Sequence, residues 1–323
     1  LCKLERNRRG ETIRFRLCYE GEEPAQLDEV ILFDGVLPVS TQAWFYGEGY
    51  NKLSQYEMVD GKFQLIGEYG DASHYKLLQK ENFHTVYNLI YMEENGEGIL
   101  LAFSSCNRFS GEFRFNEKQL QIALKTEGIT IEPGQSLELE TFFAACGTNK
   151  ARLFEQLAQE IQKNHPMLVF EEIPFGWSSW LRYGPEVNEA DIMDNMKAIK
   201  KKLPELKYIQ IDDGYQKHMG DWLECCEKFS DMQSLCGRIR EEGFEPAVWA
   251  APFIAEKDSA VFREHPEWFV RDETGEPLPS DRVSFGGWRC GPWYMLDGTH
   301  PDAREYLTHV FSVMRKKWGC RYF

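Results

Sequence analysis

A chain of 323 residues is too long for one small core, which makes two domains the starting expectation. Its 42% apolar and 14% aromatic content describes a packed globular protein and excludes a disordered one. A formal charge of −15 argues against nucleic acid or an anionic membrane as partner, because both would repel it.

The first long pattern has period two. "TIRFRLCY" puts Ile13, Phe15, Leu17 and Tyr19 on one face. "GEFRFNEKQLQIALKTEGITIEPGQSLELETFF" continues the alternation through Phe113, Phe115, Leu120, Ile122, Leu124, Ile129, Ile131, Leu137 and Leu139. Asn95-Gly96 and Pro133-Gly134 supply turns between runs. Half-buried antiparallel strands with short turns predict a β-sandwich over residues 1–148. At Asn149 the rhythm becomes helical. Leu153, Phe154, Leu157, Ala158 and Ile161 share one face, with Asn149 as N-cap and Pro166 past the end, giving a linker helix within 149–172.

From 173 to 323, short apolar strands alternate with amphipathic helices. "FGWSSW" precedes a helix from about Asn188 to Lys202, with Ile192, Met196, Ile199 and Leu203 on its apolar face. "YIQIDD" precedes a helix with Ser230 as N-cap, Gln233 at capping-box spacing and Gly243 at its end. "EPAVWAAPF" is the next strand, and a helix from about Pro301 to Trp318 leads to Gly319 and "CRYF". Repeated βα units imply parallel strands, as a (β/α)₈ TIM barrel or a doubly wound sheet. "CRYF" reads as a strand start, and a full barrel needs about 250 residues. The expectation is therefore a fragment holding only about the first half of the barrel.

The nine cysteines include no C-x-x-C pair, and the adjacent Cys225 and Cys226 suit neither a zinc site nor an ordinary disulfide. They read as reduced thiols, which with the absence of a signal-like segment suggests a cytoplasmic location. The chain begins Leu1-Cys2-Lys3, so an upstream segment stays open. No run approaches the roughly eighteen apolar residues of a membrane span.

The chemistry centres on "LKYIQIDDGYQK", where Asp212 and Asp213 end an apolar strand ahead of Gly214. Strand C-termini face the active site in parallel α/β folds. The plain alternative is a turn at Asp213-Gly214 with Asp212 bonded locally. Ionised carboxylates only accept hydrogen bonds, so two of them together can grip neighbouring hydroxyls, as on a sugar. Trp177 and Trp180 end the first strand, Trp249 ends the third, and Trp222 follows the Asp pair in "GDW". Each alone is better read as packing; together they suggest apolar walls for a sugar's C–H face. A metal held by Asp212, Asp213, His218 and Asp221 is the rival reading. "FGWSSWLRYG" lacks the early His pair of barrel metallohydrolases, so neither metal nor other cofactor is expected. There is no P-loop, G-x-G-x-x-G or G-x-S-x-G.

In this order, "GWSSW", "YIQIDDGYQ", "GDW", "GFEPAVWAAPFIAE", "FREHPEWFV", "YMLD" and "GCRYF" resemble glycoside hydrolase family 36, the melibiase-like α-galactosidases of clan D. The resemblance implies an N-terminal β-sandwich, a (β/α)₈ catalytic barrel and a small C-terminal β domain. It matches Asp212 and Asp213 to the pair that holds galactose hydroxyls around carbons 4 and 6, and Trp180 and Trp249 to aromatic positions of that pocket. "TQAWFYG" resembles the segment by which the sandwich adds Trp44 to the rim. Trp288 and Arg289, in "SFGGWRCGPWYMLD", are carried as further sugar contacts although that stretch departs from the family pattern. Ala251 stands where many relatives have Glu, and Tyr215 where they have Trp.

Catalysis in this family is retaining, by a nucleophilic Asp and an acid/base Asp about 5–5.5 Å apart. The nucleophile lies in a K-x-D motif after a strand resembling "CRYF", so both catalytic Asp are expected beyond Phe323, and residues 1–323 alone are expected to be inactive. The implied partner is an oligosaccharide ending in α-galactose, and a homo-oligomeric parent is allowed. The alternatives are an α-N-acetylgalactosaminidase, raffinose-synthase-like galactosyl transfer, or a non-catalytic sugar-binding protein.

Overall fold

Period-two runs fold here as antiparallel strands: β1 Cys2–Arg9, β2 Thr12–Tyr19, β3 Ala25–Val36, β4 Trp44–Glu48, β5 Gln55–Val59, β6 Lys62–Leu65, β7 His84–Glu94, β8 Glu97–Phe103, β9 Ser110–Phe115, β10 Gln119–Ile131, β11 Ser136–Glu138 and β12 Phe142–Gly147. The computed structural model describes residues 2–40, 42–51, 54–67, 70–167 and 173–323. Two units separate by contacts, Leu1–Val169 and Phe170–Phe323.

In the first unit the strands form one curled, hydrogen-bonded antiparallel network. β7 is its branch point: His84–Tyr87 pair with β9, and Leu89–Glu94 pair with β8. Between the two partners lies Asn88 at φ 63, the left-handed conformation that Asn tolerates better than most residues. Alternation sends Ile90 and Met92 into the main core with Phe15, Phe113 and Leu124. The opposite face, Leu89 and Tyr91, is also buried, because helix α1 (Lys150–Asn164) covers it with Leu153 and Leu157. The helix expected as a linker thus packs as part of this unit. Its N-cap is Asn149, whose side chain accepts the Arg152 N–H at 3.1 Å. Asn95 and Gly96, at φ 53 and 80, close the β7–β8 hairpin as a two-residue turn of the primed kind.

The second unit holds three parallel strands, β13 Gly176–Ser178, β14 Tyr208–Ile211 and β15 Glu245–Val248, ordered β13-β14-β15. A single parallel bridge from Ala247 to Tyr322 adds the next chain segment beside β15. Every addition is on the same side. A doubly wound sheet reverses direction, whereas a barrel does not, so this is a partial barrel. Helix α2 (Glu189–Lys202) carries a full capping box between Asn188 and Asp191, and buries Ile192, Met196 and Ile199. Leu203, expected on that face, lies past the last turn and is exposed. Helix α3 (Met232–Glu241) differs from expectation at its start: Asp231, not Ser230, is the N-cap and accepts the Ser234 N–H at 2.6 Å. Ser230 instead donates its hydroxyl to Glu189 at 2.7 Å. Helix α4 (Pro301–Val313) loosens into a π-helical turn over Met314–Trp318 and stops at left-handed Gly319. Their apolar faces meet Ile209, Ile211 and Val248 in one core. No helix among the described residues is long and apolar enough to cross a membrane.

Candidate active site

β14 is the central strand, and its tip sets the site. Alternation along "YIQI" buries Ile209 and Ile211 and leaves Gln210 on the other face. That face continues to Asp212, two residues on. In register with Gln210 across the parallel pair stands Ser178 of β13. Asp212 Oδ2 accepts from the Gln210 amide at 2.6 Å and the Ser178 hydroxyl at 3.1 Å. Its Oδ1 accepts the Asp213 N–H at 2.9 Å, and its own N–H donates to Ser179 Oγ at 3.0 Å. Gly214 then turns the chain at φ 122, where a Cβ would sit 2.5 Å from the Pro185 carbonyl oxygen, so only glycine passes.

Asp213 is 0% exposed and more fully engaged. The Arg289 Nε–H donates to its Oδ2 at 2.6 Å, and the same guanidinium reaches Oδ1 through Nη2. Gln216 Nε2 also donates to Oδ1, at 2.6 Å. A fork of this kind is the strong form of a charge-assisted pair. Hydrogen bonding to Asp213 holds the Arg289 guanidinium above its ordinary range, against the opposing effect of burial. From sequence, both carboxylates read as gripping hydroxyls; here the acceptor sites of Asp213 face the protein's own side chains.

The tryptophans gather at the same end. Trp180 takes its N–H to Ser178 Oγ at 3.3 Å, and the Trp249 N–H donates to the Ile211 carbonyl at 2.9 Å. Trp288 lies against both, with centroids 5.3 Å from Trp180 and 5.9 Å from Trp249, nearly perpendicular at 88° and 83°. The guanidinium of Arg289 rests 5.4 Å over the Trp288 ring. Asp212, Asp213, Trp180, Trp249, Trp288 and Arg289 thus share one end of the unit. Trp222 does not reach it. It is fully buried behind Trp249, centroids 5.9 Å apart, and serves as backing and not as a wall. Trp44 belongs to the first unit, on β4, stacked on Tyr46 with the Lys150 ammonium 4.2 Å over its ring.

The members of the rival metal cluster have other partners. Asp221 accepts the Ala260 and Val261 N–H groups at 2.9 and 3.3 Å, while His218 Nδ1 pairs with Glu256. Among the described residues no three metal-ligating side chains converge. Ser178, Ser179, Gln210 and Gln216 were not singled out from sequence. Gln210 left a signal, a polar residue within an apolar strand two places before Asp212.

Comparison with known proteins adds the wider frame. Residues 170–321 match the family model described as the glycosyl hydrolases family 31 TIM-barrel domain. The chain is 30% identical over 149 residues to the myogenesis-regulating glycosidase of Mus musculus, covering 46% of this chain and 20% of that protein. It is 39% identical over 124 residues to the A type blood α-D-galactosamine galactosaminidase of Flavonifractor plautii, covering 35% and 11%. In fold it resembles a family 36 α-galactosidase of Geobacillus stearothermophilus, solved with 1-deoxygalactonojirimycin, at TM-score 0.69 and 14% identity over 97% of this chain and 45% of that one. The chain thus spans less than half the length of each. The barrel match is to a family 31 model, whereas the structural neighbour is a family 36 enzyme and, at 14% identity, shares the fold alone. What these findings share is a glycosidase-like fold, a curled antiparallel sheet with a partial barrel, and relatives that are glycoside hydrolases.

Proposed function

We propose that this chain carries the galactose-recognition face of a retaining α-galactosidase, an enzyme that removes terminal α-linked galactose from oligosaccharides. The plan is a β-sandwich over 1–148, a helix within 149–172 and a (β/α)₈-barrel portion over 173–323. Asp212 is the hydroxyl acceptor, Trp180 and Trp249 form the aromatic walls, and Trp288 and Arg289 lie beside them. No catalytic step is assigned to any residue of this chain.

One observation carries the reading: an oriented carboxylate, Asp212, at the tip of the central strand beside a cluster of partly exposed indoles. Its Oδ2 is filled by Gln210 and Ser178, but among the described residues Oδ1 accepts one N–H and keeps acceptor capacity for a hydroxyl. A site built to bond a hydroxyl rejects sugars that misplace it, which is what separates galactose from glucose. The likeness to a galactosaminidase supports the amino-sugar alternative, so both sugars belong in the test.

Calorimetric titration of the 323-residue chain with methyl α-galactoside, methyl α-N-acetylgalactosaminide and methyl α-glucoside is that test. One of the first two should bind and the glucoside should not. Asp212→Asn should weaken binding roughly ten- to a hundredfold, the worth of one hydrogen bond to a charged acceptor. Equal binding of the glucoside, or an indifferent Asp212→Asn, would overturn the assignment.

A further inference from the structure

Resting on that reading, we infer that Trp288 and Arg289 are specificity-determining residues that hold the sugar's place as internal stand-ins, and that saccharide binding exchanges them out.

Two independent contacts point this way. Trp288 packs nearly perpendicular to both Trp180 and Trp249, so its indole covers ring surface of both that a pyranose would otherwise meet. Arg289 presents two N–H groups in a fork to the two oxygens of Asp213, as a pair of sugar hydroxyls would. Both residues sit in one segment, 284–292, that folds back over the strand tips. Ser280 Oγ pins it by donating to the Gly286 carbonyl at 2.7 Å and accepting the Trp293 N–H at 2.8 Å. Gly287, at φ 120, lets the turn pass the Trp293 ring, which a Cβ would approach to 2.7 Å. Beyond the pin the tip is held mainly by side chains: the Arg289 fork, the Trp288 ring contacts and the Trp293 Nε1–H to the Arg289 carbonyl at 2.7 Å. Such contacts can be traded for others of the same chemistry. Trp288 is 43% exposed, so it has a path to water.

The consequence is selectivity by exchange. A ligand must return to Asp213 the hydrogen bonds it loses from Arg289, or leave a fully buried anion with the Gln216 amide in place of a charge-assisted fork. A sugar with two suitably placed hydroxyls meets that condition; one with a single hydroxyl there does not. Apparent affinity is also reduced by the fraction of molecules in which the segment is closed.

The opposite view, Trp288 as a permanent wall, gives results of opposite sign. Using the 323-residue chain and methyl α-galactoside, Trp288→Ala should bind roughly three- to tenfold more tightly than the parent if the ring is a stand-in. Amide hydrogen exchange across 284–292 should rise when the sugar binds. Arg289→Lys, which keeps charge but cannot fork, should raise that exchange without any sugar. Weaker binding by Trp288→Ala, with sugar protecting 284–292, overturns the exchange and leaves the galactose reading standing. No binding by parent or by Trp288→Ala overturns both, since a cleared slot should accept the sugar.

Discussion

Glu140 in the first unit and Asp213 in the second are both taken out of water, at 3% and 0% exposure, yet their partners come from different sources. Glu140 is held largely by backbone. Its Oε1 accepts the Arg108 and Phe109 N–H groups at 2.8 and 3.1 Å, and its Oε2 accepts the Asn107 N–H at 3.0 Å and the Ser105 hydroxyl. Those amides cannot leave without unfolding the turn they belong to. Asp213 is held by Gln216 and by Arg289, side chains on separate segments that rotate about single bonds. A buried carboxylate bonded to main chain fixes a fold. One bonded to mobile side chains can change partners, which is what a binding site needs.

The largest expected effect separates the two halves of the Asp213–Arg289 pair. Arg289→Met strands an anion with no route to solvent and should cost about 3–5 kcal/mol. Asp213→Asn strands a cation whose side chain is 28% exposed and can turn to water, and should cost about 1–2 kcal/mol. Combining both changes should recover much of the first loss. Urea unfolding followed by tryptophan emission measures all three. Equal costs for the two single variants would mean that Arg289 is as immobile as a backbone donor, and the contrast with Glu140 would fail.

Next in size is Glu140→Gln, which keeps the shape but turns an amide group toward N–H donors; about 2 kcal/mol is expected at neutral pH. Its pH dependence follows from the carboxyl's shift. Burial raises its pKa, but the Ser105 hydroxyl and the three amides outweigh that and hold it below the usual carboxylate value. The folded value is depressed, so the stabilisation is complete above the unfolded value, near pH 4.3, and fades as pH falls through the folded one. The gap between parent and Glu140→Gln should therefore close under acid. A gap that stays constant from neutral pH to pH 3 would show that the charge is not what the turn uses.

Much of this was legible in the residues because it is local. The alternation from Phe113 to Leu139, the Asn149 cap and the change of rhythm there depend on neighbours three or four places away. The Asp pair and its tryptophans were legible because strand tips of parallel folds converge at one end. What stayed hidden is set by distant contact. Arg289 is 76 positions from Asp213, and nothing in either stretch says that one closes on the other. Trp222 reads like Trp249 by composition, and only the packing of the second core puts it behind. Strands over 1–148 are expected to be half-buried, yet Leu153 and Leu157 of α1 cover the second face of β7, β8 and β12.

The smallest effect concerns another carboxylate bonded to main chain, this one in water. Asp231 is exposed and accepts the Ser234 N–H at 2.6 Å, so Asp231→Ala should cost about 1 kcal/mol, the ordinary worth of an N-cap. Ser230 has the capping-box spacing to Gln233, but its hydroxyl goes to Glu189, which also accepts the Ser230 N–H at 3.0 Å and an Arg238 contact. Ser230→Ala removes one of several donors at the surface and should cost only about 0.5 kcal/mol. Urea unfolding of both variants decides which residue starts the helix. A larger loss for Ser230→Ala would restore the sequence assignment. The expected order would show that a single amide partner in water is enough for the Asp231 carboxylate to start the helix.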